Sequence, residues 1–176
     1  MKPLEEQLAQ YASYHRDPRN IATHFIGIPL IVLSVSALLS RPAFPLGNWS
    51  VSPAVLVAGS IAAFYFRLDA RWGALMALLL GASLWFGAWV ATLATPLWLG
   101  VGIGAFLVGW VFQFVGHAWE GRKPAFVDDL VGLAIGPLFV VAEALFMLGL
   151  QPGLRQRVES RADRLRRQSV GVEVRN

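Results

Sequence analysis

Five apolar runs divide this chain: Phe25–Leu39, Val51–Phe66, Trp72–Leu93, Leu97–Val115 and Leu130–Leu150. Apart from Glu143 in the last run, charge is confined to the segments between and beyond them. A bilayer core needs about 17–25 apolar residues per helical crossing, so runs of this length and spacing constrain the chain to a bundle of membrane helices. Composition agrees, since 56% of the 176 residues are hydrophobic, against about 45–50% in ordinary soluble domains. Cysteine is absent, which removes disulfides, thiolate metal ligands and cysteine nucleophiles. A metal would therefore have to take imidazole, carboxylate or backbone oxygen.

The expected fold is all-α, a polytopic membrane helix bundle with about four transmembrane helices plus a broken re-entrant or interfacial helical pair over residues 130–150. That last block contains Gly132, Gly136-Pro137 and Glu143, which is why a break is expected there. A fifth full crossing would also carry the arginine-rich C-terminus away from the other basic segments, against the tendency of Lys and Arg to stay cytoplasmic. Two domains are expected: an integral membrane catalytic domain over 1–153 and a basic cytoplasmic tail over 154–176. The net charge of +4 comes largely from that tail, which beside membrane spans points to anionic lipid rather than nucleic acid. No signal peptide is evident, because the first twenty residues are polar and amphipathic. The expected location is an integral membrane position, in a bacterial inner membrane, with both termini on the cytoplasmic side.

Between Lys2 and His15 the pattern reads as a short amphipathic helix, with Leu4, Leu8 and Tyr11 on one face. Asp17-Pro18 starts the next helix, with Asp as N-cap and Pro at the first helical position. The break lets His15 fold back toward His24, nine residues on. Glycines Gly100, Gly102, Gly104 and Gly109 crowd the fourth run and predict a close packing face, since small residues let helices approach in lipid. Asp128-Asp129 reads as another helix start, where carboxylates meet the positive dipole end.

Polar chemistry concentrates after the fourth run, in Gln113–Pro124. On a helix Gln113, His117 and Glu120 share one face. The chain has three histidines, His15, His24 and His117, and a four-span topology brings all three to one membrane boundary. Together they are the candidate metal ligands. Imidazole suits zinc, iron, copper or nickel, while histidines plus one carboxylate with open positions suit non-haem iron(II). Glu120 is open to four roles: fourth ligand, second-shell acceptor, catalytic general base, or an ion pair with Arg122 or Lys123. Asn20, one turn before His24, is a second candidate catalytic residue that would orient ligand or substrate, or else make a helix-end hydrogen bond. Arg19, Arg122 and Lys123 are candidate contacts for an acidic head group, although topology alone also accounts for cations there.

Two motifs, Tyr14-His15-x4-Asn20-x3-His24-x2-Gly27-x-Pro29 and Gln113-Phe114-x-Gly116-His117-x2-Glu120-x3-Pro124-Ala125, together resemble the 2-hydroxy fatty acid dioxygenase family of phytosphingosine breakdown and fatty acid α-oxidation. The resemblance runs from about Leu4 to Leu148 and includes Gly136-Pro137-Leu138-Phe139; the arginine-rich tail lies outside it. It implies an Fe(II)-dependent membrane enzyme that shortens a 2-hydroxy fatty acid by one carbon using O2. By that resemblance the family's histidines fall on His15, His24 and His117, and its acidic partner on Glu120. Other readings of the same residues are a zinc-dependent membrane hydrolase with Glu120 as base, a haem-binding electron carrier, and a non-enzymatic lipid-binding membrane protein.

Overall fold

The computed structural model describes residues 3–47, 49–124 and 131–173. Among them are seven helices: α1 (Leu4–Ser13), α2 (Pro18–Ser40), α3 (Pro53–Leu68), α4 (Ala70–Ala91), α5 (Thr95–Glu120), α6 (Val131–Met147) and α7 (Pro152–Glu173). A short antiparallel hairpin, β1 (Phe44–Leu46) with β2 (Trp49–Val51), joins α2 to α3, Phe44 opposite Val51. The expected helix start at Asp128-Asp129 lies outside the described residues.

The helical expectation holds. Helices α2, α4 and α5 are long and apolar enough to cross a membrane. The second expected span, α3, has 16 residues, or about 24 Å at 1.5 Å per residue, short of the roughly 30 Å hydrocarbon core. Pro53 opens it and Asp69 closes it. Asp69 also caps α4, its carboxylate accepting the N–H groups of Arg71 and Trp72 at 2.9 and 3.0 Å, so a single residue makes the turn between the two helices. The break expected within Leu130–Leu150 falls at its end instead. Helix α6 runs unbroken through Pro137, and the chain turns at Gly149 and Gln151, which take φ of 74° and 58°.

The chain forms two compact units, one of residues 1–25 with 113–176 and one of residues 26–112. In the second unit, glycines set the helix approaches. A Cβ at Gly109 would lie 2.9 Å from the carbonyl oxygen of Gly27 and 2.7 Å from Ile31 Cγ1, and Gly102 is closed off by the Leu38 side chain. Gly87 of α4 similarly abuts the Ser36 carbonyl. Gly100 and Gly104 meet nothing, so the packing stripe is narrower than the glycine-rich run that predicts it. Two hydrogen bonds join helices here: Ser36 Oγ donates to Ser83 Oγ at 3.1 Å, and Trp98 Nε1 to the Ala37 carbonyl at 2.9 Å. Leu78, Trp85, Trp89, Leu97, Leu107 and Val111 are exposed, the outward apolar surface that lipid-facing helices present.

The first unit is built differently. Helix α1 packs against α6 and α7, burying Leu8, Ala9 and Ala12 of α1 with Leu138, Phe139 and Ala142 of α6. Helix α7 adds Leu154, Val158 and Ala162 at four-residue spacing, all buried, so the basic C-terminal segment has one packed face and one charged face. Its arginines pair across to α1, Arg157 with Glu5 at 2.7 Å and Arg161 with Glu6 at 3.2 Å.

Candidate metal centre

Helix ends deliver the polar groups of the first unit. At the end of α1 the last turn tightens: the N–H groups of Tyr14 and His15 donate to the carbonyls of Tyr11 and Ala12. His15 thereby sits just past the helix. Asp17 then starts α2, its carboxylate accepting the Arg19 N–H at 2.8 Å, and His24 lies in the second turn. Helix α5 ends at Glu120 because Gly121 follows with φ of 67°, its N–H returning to the His117 carbonyl at 3.1 Å. That left-handed position favours glycine and closes the helix immediately after its polar face.

Gly116 sets the approach of α5 to the start of α2. A Cβ there would collide with Thr23 Oγ1 and Asn20 Oδ1 and stand 3.3 Å from Asn20 Cα. Bare backbone at that point brings His117, the next residue, up to His24. The imidazole rings of His15, His24 and His117 form a triangle with centroids 4.5, 4.9 and 5.2 Å apart and interplanar angles of 68–78°. All three are buried. Tyr11 stacks flat on His15 at 4.2 Å, and Phe139 lies beside both rings, 5.5 Å from His15 and 4.9 Å from Tyr11.

Hydrogen bonding decides what these rings can do. His15 Nδ1 contacts the Tyr11 carbonyl and His24 Nδ1 the Asn20 carbonyl, both at 2.8 Å. A carbonyl only accepts, so each Nδ1 carries the proton and each Nε2 is left with a bare lone pair. Yet His15 Nε2 and His24 Nε2 face each other at 3.0 Å. Two lone pairs at that distance repel unless a proton or a cation lies against both. Extra protonation is opposed: burial, reinforced by neighbouring His24, pushes the His15 pKa well below its ordinary value. A metal ion resolves the conflict, because bonds of about 2.1 Å at 90–110° put two ligand nitrogens about 3.0–3.5 Å apart. His117 Nδ1 is buried without a hydrogen-bond partner among the described residues, and one nitrogen from each ring lies within 4.8 Å of the others. The donor set thus fits a divalent transition metal.

Glu120 takes another position. Its Oε2 accepts the backbone N–H groups of Arg16 and Asp17 at 2.8 and 2.7 Å and Asn20 Nδ2 at 3.3 Å; its Oε1 accepts Arg166 Nη1 at 3.0 Å. The side chain is 1% exposed, and the three-histidine set does not include it. Asn20 is fully buried with Oδ1 unpartnered among the described residues, as is Gln113 Nε2, one turn before His117 on α5.

The expected head-group contacts differ among themselves. Arg19 is exposed, held by Asp17 through Nε at 3.1 Å and Nη2 at 2.8 Å, with its guanidinium 5.4 Å from the Trp119 ring. Arg122 donates to the Ser13 carbonyl at 3.4 Å and lies 6.0 Å from the Tyr14 ring, while Lys123 is exposed. Sequence reasoning left three contributors unassigned. Tyr11 stands four residues before His15, a helical spacing that could have marked it. Phe139 had only its place in an apolar block. Arg166 is one arginine among many, and no local signal separates it from the rest.

These features define a class: a helical protein with membrane-length apolar helices and, among its described residues, a buried three-histidine cluster suited to a metal. The chain belongs to the Mpo1-like family, whose description is 2-hydroxy-palmitic acid dioxygenase Mpo1-like and whose match covers residues 1–148. It is also similar to the 2-hydroxy-palmitic acid dioxygenase MPO1 of Saccharomyces cerevisiae, 35% identical over 158 residues, covering 89% of this chain and 87% of that protein. No solved structure matches the chain.

Proposed function

We propose that the protein is an Fe(II)-dependent dioxygenase that shortens 2-hydroxy fatty acids by one carbon, with His15, His24 and His117 as the metal ligands. The facing of two unprotonated Nε2 atoms at 3.0 Å carries this reading, and the yeast relative's name supplies the substrate class. Three neutral imidazoles leave coordination positions open and suit iron as they suit zinc, copper or nickel; the dioxygenase name of the yeast relative is what favours iron. Bound iron(II) would supply the one-electron chemistry that lets O2 react with a closed-shell acid. The overall change, R–CH(OH)–COOH + O2 → R–COOH + CO2 + H2O, balances without another reductant. The carboxyl carbon leaves as CO2 and the carbinol carbon becomes the new carboxyl.

The remaining roles belong to side chains. Tyr11 and Phe139 wall the His15 ring and exclude water. The unpartnered Asn20 Oδ1 is an acceptor for the substrate hydroxyl, and Gln113 Nε2 a donor to its carboxylate. Arg122 and Lys123 add positive charge beyond the end of α5, and Arg19 is paired with Asp17. Glu120 acts as an acceptor that orders the His15 turn rather than as a ligand. The acyl chain would lie against apolar helix surface, in membrane lipid. The basic residues of α7 and of the segment after α5 support a cytoplasmic position for the histidine end.

The test is a turnover of 2-hydroxypalmitic acid labelled with carbon-13 at the carboxyl, using anaerobically purified, iron-loaded protein. Pentadecanoic acid and labelled CO2 should appear in equal amounts on admitting O2. Tightly held zinc with oxygen-independent hydrolysis of an acyl ester would overturn the reading.

A further inference from the structure

Helix α7 begins at Pro152, beyond the segment that matches the family. We infer that α7 is a positioning element of the histidine centre: Arg166 holds Glu120, and Glu120 holds the turn that carries His15. The inference rests on the three-histidine reading of the metal site.

A carboxylate that is 1% exposed needs a compensating charge, because a buried ion stripped of its partner is strongly unfavourable. Arg166 Nη1 supplies it at Oε1, 3.0 Å away. With the charge fixed there, Oε2 is free to accept two successive backbone N–H groups, those of Arg16 and Asp17. His15 is the residue immediately before that pair, and its Nε2 must stay within reach of His24 Nε2. Helix α7 grips the same turn a second time, Asp163 taking Arg16 Nη2 at 2.7 Å. Asp163 and Arg166 are three apart, neighbours on one face of α7. Helix docking does not depend on them, since Leu154, Val158 and Ala162 are buried and Arg157 and Arg161 pair with α1 farther along. Losing Arg166 should therefore loosen the ligand turn and leave the fold standing.

The experiment titrates Co(II) into the metal-free, detergent-purified full chain under anaerobic conditions, following the visible d–d bands, with thermal unfolding of the metal-free protein measured beside it. Four proteins are compared: wild type, Arg166→Met, Arg166→Lys and, as a control on the same helix pair, Arg157→Gln. Arg166→Met should weaken Co(II) binding about 10-fold or more, as loss of a partner that orients ligands commonly does; it should also lower the metal-free unfolding temperature, because Glu120 then lacks its cation, while the protein stays folded at the titration temperature. Arg166→Lys should recover part of the affinity, and Arg157→Gln should bind as wild type. Wild-type affinity in Arg166→Met overturns the inference while sparing the metal site. Equal weakening by Arg157→Gln, or an Arg166→Met protein that is already unfolded at the titration temperature without metal, reduces α7 to a docking element and also overturns it. Failure of the wild type to bind Co(II) overturns both this inference and the three-histidine centre.

Discussion

The two units hold themselves together by opposite means. In residues 26–112, helices meet where a side chain is missing: Gly87, Gly102 and Gly109 let backbone or a branched side chain fill the space. Few polar groups are involved. In residues 1–25 with 113–176, contacts are made by what side chains carry, with Glu120, Asp17, Arg16, Arg166 and three imidazoles arranged in hydrogen bonds and ion pairs. Gly116 brings the close-approach device into this polar unit as well, and it stands beside a metal-binding candidate. Lipid-exposed helices gain little from hydrophobic association, so close packing is the means left to them. A metal site needs donors held in fixed directions, which packing alone does not provide.

Substitutions in either unit should separate stability from metal binding. The largest effect is expected for His24→Ala, which removes one of the facing Nε2 atoms: metal recovered with the purified protein should fall below about a tenth of wild type by elemental analysis, given that three ligands become two. Retention of full metal content would break the contrast at its centre. Gly109→Val should come next, with overpacking against Gly27 and Ile31 lowering stability by about 1–3 kcal/mol, read by unfolding in mixed detergent. The fraction that remains folded should keep its metal. Glu120→Gln keeps the shape of the acceptor but abolishes its charge pairing with Arg166. It should weaken metal affinity about 10-fold with a smaller effect on unfolding, and an equal loss of stability would place Glu120 with the packing residues. Smallest is Ser36→Ala, which deletes the hydrogen bond to Ser83 within an apolar helix pair. A cost of about 0.6 kcal/mol is typical for such bonds, and metal binding should not change.

How much was legible followed from how local each cause is. Apolar run lengths and the Asp17-Pro18 start are short-range signals, and the helices begin and end close to where those signals stand. The glycine face was visible as composition, but which glycines make contact depends on what faces them, so Gly100 and Gly104 were indistinguishable from Gly102. Spacing drew the three histidines together because the chain has no others to confuse the choice. Glu120 shows the opposite case. Its partners lie 103 and 104 residues earlier and 46 residues later, and no pattern within α5 reveals that both its oxygens are taken. The charged C-terminal segment likewise read as a solvated tail, since its buried face, Leu154, Val158 and Ala162, is three small apolar residues among many charges.

The grip on Glu120 also fixes an order of events during synthesis. His15 and His24 leave the ribosome early and nine residues apart, but the carboxylate that accepts the N–H groups of Arg16 and Asp17 between them follows only with Glu120, and Arg166 follows later still. On the proposed reading, the last polar partner of the histidine turn is made 46 residues after Glu120.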